Sequence, residues 1–199
     1  MQKGSITREK IVEESAVLFN KKGYDGCSMQ DIMLATGLQK GGIYNHFRTK
    51  TEIALEAFNY SFDKTMARFR HRLDRDKTCT QKLYSVIDVL SSFVSDPVIE
   101  GGCPIFNLSV KSSFEYPELR SKALEGLNML KKYIEIKIEE GIACGEFKKN
   151  DKVTEISSLI IMTMEGGIIM SNICGGNEQY VKTAASHLRT YIEENLLVR

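Results

Sequence analysis

Tryptophan is missing from this chain, and proline and histidine each occur only three times. So little proline, in a sequence rich in Leu, Ile, Lys, Glu and Ala, favours helix over sheet. The five cysteines, Cys27, Cys79, Cys103, Cys144 and Cys174, are scattered and odd in number, with no Cys-x-x-Cys spacing. A disulfide framework and a zinc site are therefore not expected, and a reducing cytoplasm is the expected setting. His46, His71 and His187 are far apart in sequence, no Ser or Cys has a fixed base partner, and no Gly-rich loop follows a strand. Without such a constellation no enzyme activity, metal or cofactor is expected. The longest apolar stretch, Leu159 to Met164, is broken by Thr163 and falls far short of a membrane span. Met1 to Ser5 run straight into a charged amphipathic segment, which argues against a signal peptide.

An excess of charge is lacking too, since 27 Lys and Arg stand against 26 Asp and Glu. The distribution is more informative than the sum. The first fifty residues hold eight basic groups (Lys3, Arg8, Lys10, Lys21, Lys22, Lys40, Arg48 and Lys50) against five acids, and the rest is slightly acidic. A basic front part before a near-neutral body suits contact with a polyanion. At 199 residues the chain has room for a small domain and a medium one.

Apolar residues recur at spacings of three and four, and no stretch alternates with period two. The pattern predicts an all-α fold of nine helices in two unequal parts, residues 1–50 and 51–199. The first helix is expected from about Thr7 to Lys22, stopped by Gly23. Ser28 is placed to cap a second helix, with Asp31 completing a capping box. Thr36-Gly37-Leu38 forms a turn before a short third helix that ends near Phe47. Thr49 and Glu52 open a long fourth helix through Leu73, and Thr80 is expected to cap the fifth. Pro104 and Pro117 are placed as first residues of the sixth and seventh. Val153 to Cys174 form the eighth, and the ninth follows the Gly175-Gly176-Asn177 turn.

Two short helices joined by a Gly-containing turn form a DNA-reading unit, and residues 28–47 have that layout. Ile32, Ala35, Leu38, Ile43 and Phe47 are the apolar residues that would set the angle between the helices. The outer face of the third helix carries Gln39, Lys40, Tyr44, Asn45 and His46, groups that pair with bases and phosphates. Gly41 and Gly42 each weaken the helix by roughly 1 kcal/mol relative to Ala, which makes sense where something must approach closely. Asn45 is a base-reading candidate through its amide.

The run Ser28-Met29-Gln30-Asp31-Ile32-Met33-Leu34-Ala35-Thr36-Gly37-Leu38-Gln39-Lys40-Gly41-Gly42-Ile43-Tyr44-Asn45-His46-Phe47-Arg48-Thr49-Lys50 resembles the signature of the TetR-type (TetR/AcrR) regulators. The likeness covers about the first sixty residues, and the nine-helix layout behind it agrees in length. It implies a three-helix DNA-binding domain followed by a larger helical domain for ligand binding and dimerisation. It implies further that Gln39, Lys40 and Gly41 face base edges, and that Tyr44, His46, Lys50, Ser28 and Met29 hold phosphates. The expected partners are double-stranded operator DNA, a second copy of the chain through the last two helices, and a small-molecule effector. The chain departs from the family pattern twice. Gln39 stands where Ser or Thr usually caps the third helix, and Gly42 stands where a Thr or Ser would add a phosphate contact.

Beyond the motif the residues leave alternatives open. His71, in the run Arg68 to Arg72, belongs to a solvated face or to a secondary phosphate contact. Gly101 to Leu108 is similar to a segment that, in a subgroup of the family, leads into the helix joining ligand and DNA-binding domains. Cys103 there is either a small buried residue or, ahead of a helix N-terminus, a reactive thiol sensing oxidants or electrophiles. Phe106, Phe114, Met129, Tyr133, Met162 and Met164 are either core or the lining of an effector pocket. Glu165, set between apolar runs, recognises a cationic ligand or pairs across a dimer interface. Gly166 and Gly167 are expected to let a partner helix come close. The competing class is a helical small-molecule carrier or adaptor that does not bind DNA.

Overall fold

The computed structural model describes residues 2–110, 115–149 and 152–198. Among these residues the chain is all-α, with one isolated antiparallel bridge between Phe147 and Leu197. The order is α1 (Gln2–Gly26), α2 (Met29–Thr36), α3 (Lys40–Tyr44), α4 (Lys50–Leu73), α5 (Cys79–Ser95), α6 (Pro104–Val110), α7 (Pro117–Ala143), α8 (Val153–Ile173) and α9 (Gln179–Asn195). The fold class and helix number are those read from the periodicity, and Pro104 and Pro117 do open α6 and α7. Phe114, one of the expected pocket residues, lies outside the described residues.

Helix ends are where sequence and structure part. In α1 the backbone leaves helical geometry at Gly23 (φ 75°, ψ 174°), as a stop there requires, but a further turn continues to Gly26. Helix α3 ends at Tyr44 rather than near Phe47. The α4 capping box reaches one residue further back than expected. Thr49 accepts from the Glu52 amide at 3.0 Å, while the Glu52 carboxylate accepts from the Arg48 amide at 2.7 Å. Helix α5 is capped by Thr78 with Gln81, not by Thr80. Thr80 is used instead by a distant partner. Its amide and hydroxyl both donate to Glu146 at 2.9 Å, and the Cys79 amide donates to the same carboxylate at 3.0 Å. Burial works against the charged form of Glu146, yet these three donors outweigh it and hold the carboxyl below its usual range. An anion at a helix N-terminus also meets the positive end of the helix dipole.

The chain forms two compact units, residues 1–65 with 98–126, and residues 66–97 with 127–199. The first is larger than the 1–50 segment set apart from the sequence, because the Val98–Gly102 loop and α6 pack on α1. Its core is built on Ile11, Ile32, Ile43, Phe47 and Ile53, all 1% exposed or less. In the second unit α5, α8 and α9 pack together around Leu83, Ile87, Ile160, Met164 and Ile192. Averaged over its length, α8 is long and apolar enough to cross a membrane, although no uninterrupted run within it is. Its packing against α5 and α9 makes it a core helix here.

The same unit shows what its glycines are for. A Cβ on Gly167 would lie 3.0 Å from the Ala184 methyl and from the Val181 Cα, so this glycine admits the protein's own α9 rather than a partner helix. Gly166 faces open space. A Cβ on Gly141 would fall 2.1 Å from the buried ring of Phe147. Gly141→Ala is therefore expected to lower the unfolding free energy by about 1–3 kcal/mol. Gly166→Ala should leave the protomer unchanged or raise its stability by up to about 1 kcal/mol. Urea unfolding of the two variants checks the contrast, and equal effects would mean that the Phe147 ring moves aside.

Candidate nucleic-acid interface

The candidate site is built on two short helices and the turn between them. Ser28 starts α2 by capping it: its hydroxyl accepts from the Asp31 amide at 3.1 Å, and its own amide donates to Asp31 at 2.7 Å. Lys22 pairs with Asp31 at 2.6 Å. The Lys22 and Ser28 hydrogen bonds hold the Asp31 carboxyl well below the usual carboxylate range. At the other end Thr36 turns its hydroxyl back to the Ile32 carbonyl at 2.7 Å and accepts from the Leu38 amide at 3.3 Å. Gly37 then takes the left-handed conformation, φ 70°, and its amide closes on the Met33 carbonyl. A residue with a Cβ is strained in that backbone, which is why the turn needs glycine.

Gln39 caps α3 through its extended backbone alone, with no side-chain hydrogen bond. That is the looser start anticipated from the absence of Ser or Thr. A five-residue helix gains little from its own hydrogen bonds. Burial holds it instead, through Ile43 and Phe47 packed in one core with Ile32, each contributing about 1.5–3 kcal/mol. Ala35 and Leu38 are half-buried around them.

With that face buried, the outer face carries the predicted readers. Gln39, Lys40, Gly41, Tyr44 and Asn45 are exposed, and His46 is half-buried. The Lys40 ammonium lies 5.7 Å from the Tyr44 ring centre, so the two side chains lean along one surface. A Cβ on Gly41 would meet nothing within 4 Å, and one on Gly42 would make only ordinary contact with Leu38. Nothing inside the protein requires either glycine.

Three expected residues are placed less simply. The hydroxyl and amide of Ser28 are both turned to Asp31. Met29 is half-buried in the first turn of α2. Lys50 points inward: its ammonium donates to the Tyr24 and Cys27 carbonyls at 2.9 and 3.0 Å and sits 4.0 Å from the Tyr24 ring centre. Lys50 thus ties the end of α1 to the start of α4, and Tyr24 adds a 2.8 Å hydrogen bond to Thr51.

Two features of this unit gave no local signal in the sequence. Asn20, 4% exposed, donates to the carbonyls of Ile99, Glu100 and Gly102 and accepts from Asn107 at 3.0 Å. This knot fastens α1 to the loop before α6 and to α6 itself. Gly101 completes it, since a Cβ there would lie 2.8 Å from the Asn20 carbonyl oxygen in a backbone at φ 111°. Beside the knot, Phe19, Tyr24, Phe58, Pro104 and Leu108 help to line a cavity of about 20 Å³, room for about one water.

The expected effector residues do not share a common setting. Cys103 is 4% exposed at the start of α6, and Phe106 is half-buried on it. Met129 and Met162 are 50% and 64% exposed, so neither lines an interior. Tyr133 meets the Phe69 ring at a tilt, with centroids 5.8 Å apart, Met164 is core, and Glu165 is half-buried on α8.

Fold and site together define a helix-turn-helix protein. Residues 11–57 match the family model "Bacterial regulatory proteins, tetR family", and residues 79–188 match "Tetracyclin repressor-like, C-terminal domain". A TetR transcriptional regulator from Chloroflexus aurantiacus is 37% identical and superposes with a TM-score of 0.95, covering 100% of both chains. The transcriptional repressor DhaR of a Mycobacterium species is 28% identical over 83% of this chain and 82% of its own. The uncharacterised regulator YuxN of Bacillus subtilis is 33% identical, but the match spans 49% of this chain and only 36% of that protein. The chain belongs to the TetR family of helix-turn-helix transcriptional regulators.

The Asp31 pairings make a pH prediction. A carboxyl lowered in the folded state adds stability above its unfolded pKa of about 3.9, and that stability is lost as pH falls through the folded value. Asp31→Asn should therefore melt lower than the parent at pH 7 and change less as pH is taken below about 4. Thermal melts across that range check it, and parallel pH profiles would show that the pairings add no stability.

Proposed function

We propose that this chain is a repressor that binds a palindromic operator as a homodimer and leaves it when a small effector binds. The observation that carries the reading is the outer face of α3. Gln39, Lys40, Tyr44 and Asn45 stand exposed there on a helix that the core holds only from behind. Gln39, Lys40 and Asn45 read base edges, with Gly41 leaving room for the duplex. Tyr44 and His46 hold phosphates. At the start of α2 the contact is made by the backbone amides of Met29 and Gln30, which helix geometry leaves without intrahelical partners. Asp31 would repel a phosphate there, and its pairing with Lys22 offsets that charge. Lys50 serves chiefly by holding the turn, with at most one N–H left for a phosphate. Such a regulator works in the cytoplasm, where residues 1–50 read DNA and residues 51–199 sense and dimerise.

Dimerisation is assigned to α8 and α9. Met162, Met170, Ile173 and Tyr180 expose apolar surface on these helices, beside an open groove of about 260 Å³ floored by Gly166 and Gly167. Two reading heads about 34–36 Å apart match successive turns of one face of DNA, which one short helix cannot do alone. An effector releases the operator only if it binds the DNA-incompetent state more tightly. The Asn20–Asn107 knot is the route by which movement of α6 reaches α1.

Fluorescence anisotropy with the DNA upstream of the chain's own gene tests the reading. Binding should weaken steeply between two salt concentrations, as phosphate neutralisation requires. Gln39→Ala should lower discrimination at one base position by about 1–3 kcal/mol, whereas Tyr44→Ala should weaken all sequences alike. Absence of specific binding to any palindrome would favour a carrier or adaptor instead. In sedimentation, Met170→Glu should shift the chain from dimer to monomer. A dimer that survives this change would place the interface elsewhere.

A further inference from the structure

Cys79 and Cys144 are 65 positions apart, yet their sulfurs lie 3.3 Å from each other. Cys79 is the first residue of α5 and is 8% exposed, whereas Cys144 lies in the turn just past α7 and is exposed to solvent. The contact is held by neighbours of both residues. Glu146, two residues beyond Cys144, accepts from the Cys79 amide and from Thr80. The Cys144 thiol also reaches the Gly141 carbonyl at 3.4 Å. The other three cysteines make no such pair among the described residues: Cys27 and Cys103 are buried, and Cys174 is exposed with Tyr180 as its hydrogen-bonding neighbour.

We propose that Cys79 and Cys144 form a dithiol switch that a peroxide closes to an intramolecular disulfide. The two sulfurs have different parts in it. Burial, the Cys144 contact and the nearby Glu146 carboxylate push the Cys79 thiol up to about 11, so it stays protonated at neutral pH. Reactivity belongs to an accessible thiolate, so Cys144 reacts first. Its sulfur attacks one peroxide oxygen, the O–O bond breaks, and Cys144 becomes a sulfenic acid with release of water. The Cys79 sulfur then attacks the Cys144 sulfur. The S–O bond breaks, and the hydroxyl leaves as a second water with the Cys79 proton. Two thiols are oxidised and one peroxide is reduced, and a thiol reductant reverses the change. The bond ties the first residue of α5 to the turn beyond α7 and closes a long loop, which constrains the unfolded chain.

The same cluster offers three ligand atoms within 4.8 Å of one another, the two sulfurs and Glu146. Both Glu146 oxygens already accept hydrogen bonds from α5, which favours the redox reading over a soft metal. The proposal concerns thiol chemistry alone and does not depend on DNA binding, so the two readings fail separately.

The test treats the reduced full-length protein with a small excess of hydrogen peroxide and counts thiols by alkylation and mass spectrometry. The expected result is a fall from five alkylated cysteines to three, a mass lower by two hydrogens, and a Cys79–Cys144 cross-linked peptide. The melting temperature should rise and return on adding dithiothreitol. Cys79→Ser should stop at a Cys144 sulfenic acid trapped by dimedone, while Cys144→Ser should keep all four remaining thiols. Five thiols surviving in the parent would overturn the proposal, as would a cross-link between two chains or a sulfenic acid that accumulates on Cys79. Zinc titrated into the peroxide-free protein provides the metal arm. Micromolar zinc that protects both cysteines from alkylation would reassign the pair to a metal site.

Discussion

The outer face of α3 depends on the burial of Ile43 and Phe47 in one core with Ile32. Five residues form too few internal hydrogen bonds to hold a helix in water, and α3 contains a Gly-Gly pair and lacks a side-chain cap. Its existence, its direction and the exposure of Gln39, Lys40, Tyr44 and Asn45 all follow from fixing its inner edge in the core. The surrounding contacts serve the same end. Arg8 lies 4.8 Å from the Phe47 ring centre, and Lys50 closes the corner formed by Tyr24 and Cys27.

Three polar side chains, two in the first unit and one in the second, join segments far apart in sequence. Lys50 fastens α4 to the end of α1, Asn20 fastens α1 to the loop before α6, and Glu146 fastens the end of α7 to the start of α5. Each supplies hydrogen bonds to backbone groups at a helix end or in a loop. Backbone groups removed from water without partners are costly. In the first unit, the Asn20–Asn107 pair and the close approach of Gly101 to the Asn20 backbone tie α6 and the loop before it to α1.

Much of this was legible in the sequence because it rests on local periodicity. The nine helices among the described residues, the Ser28–Asp31 box, the glycine turn at Gly37 and the proline starts of α6 and α7 agree with the structure. The exposed set on α3 was legible too, since Ile43 and Phe47 leave only one face for the polar residues. The misses involve partners that spacing does not reveal. Thr80 resembled a cap until Glu146 claimed it, and Lys50 resembled a phosphate anchor until the Tyr24 and Cys27 carbonyls took two of its donors. The expected pocket fared least well, because Met and Phe at helical spacing look alike whether they face core, ligand or solvent. Met129 and Met162 face solvent.

For this protein the sequence by itself determined the helical class, the helix-turn-helix and the residues on its outer face. Those features follow from spacings of three and four residues and from turn chemistry, which act over a few positions. Only the tertiary structure decided which polar groups were already engaged, that Gly167 serves the chain's own α9, and that Cys79 meets Cys144. The reason is physical: a pairing between helices is selected by packing across the core, and residues 65 positions apart carry no local mark of it. The cysteines that looked scattered along the chain include two that the fold brings into contact.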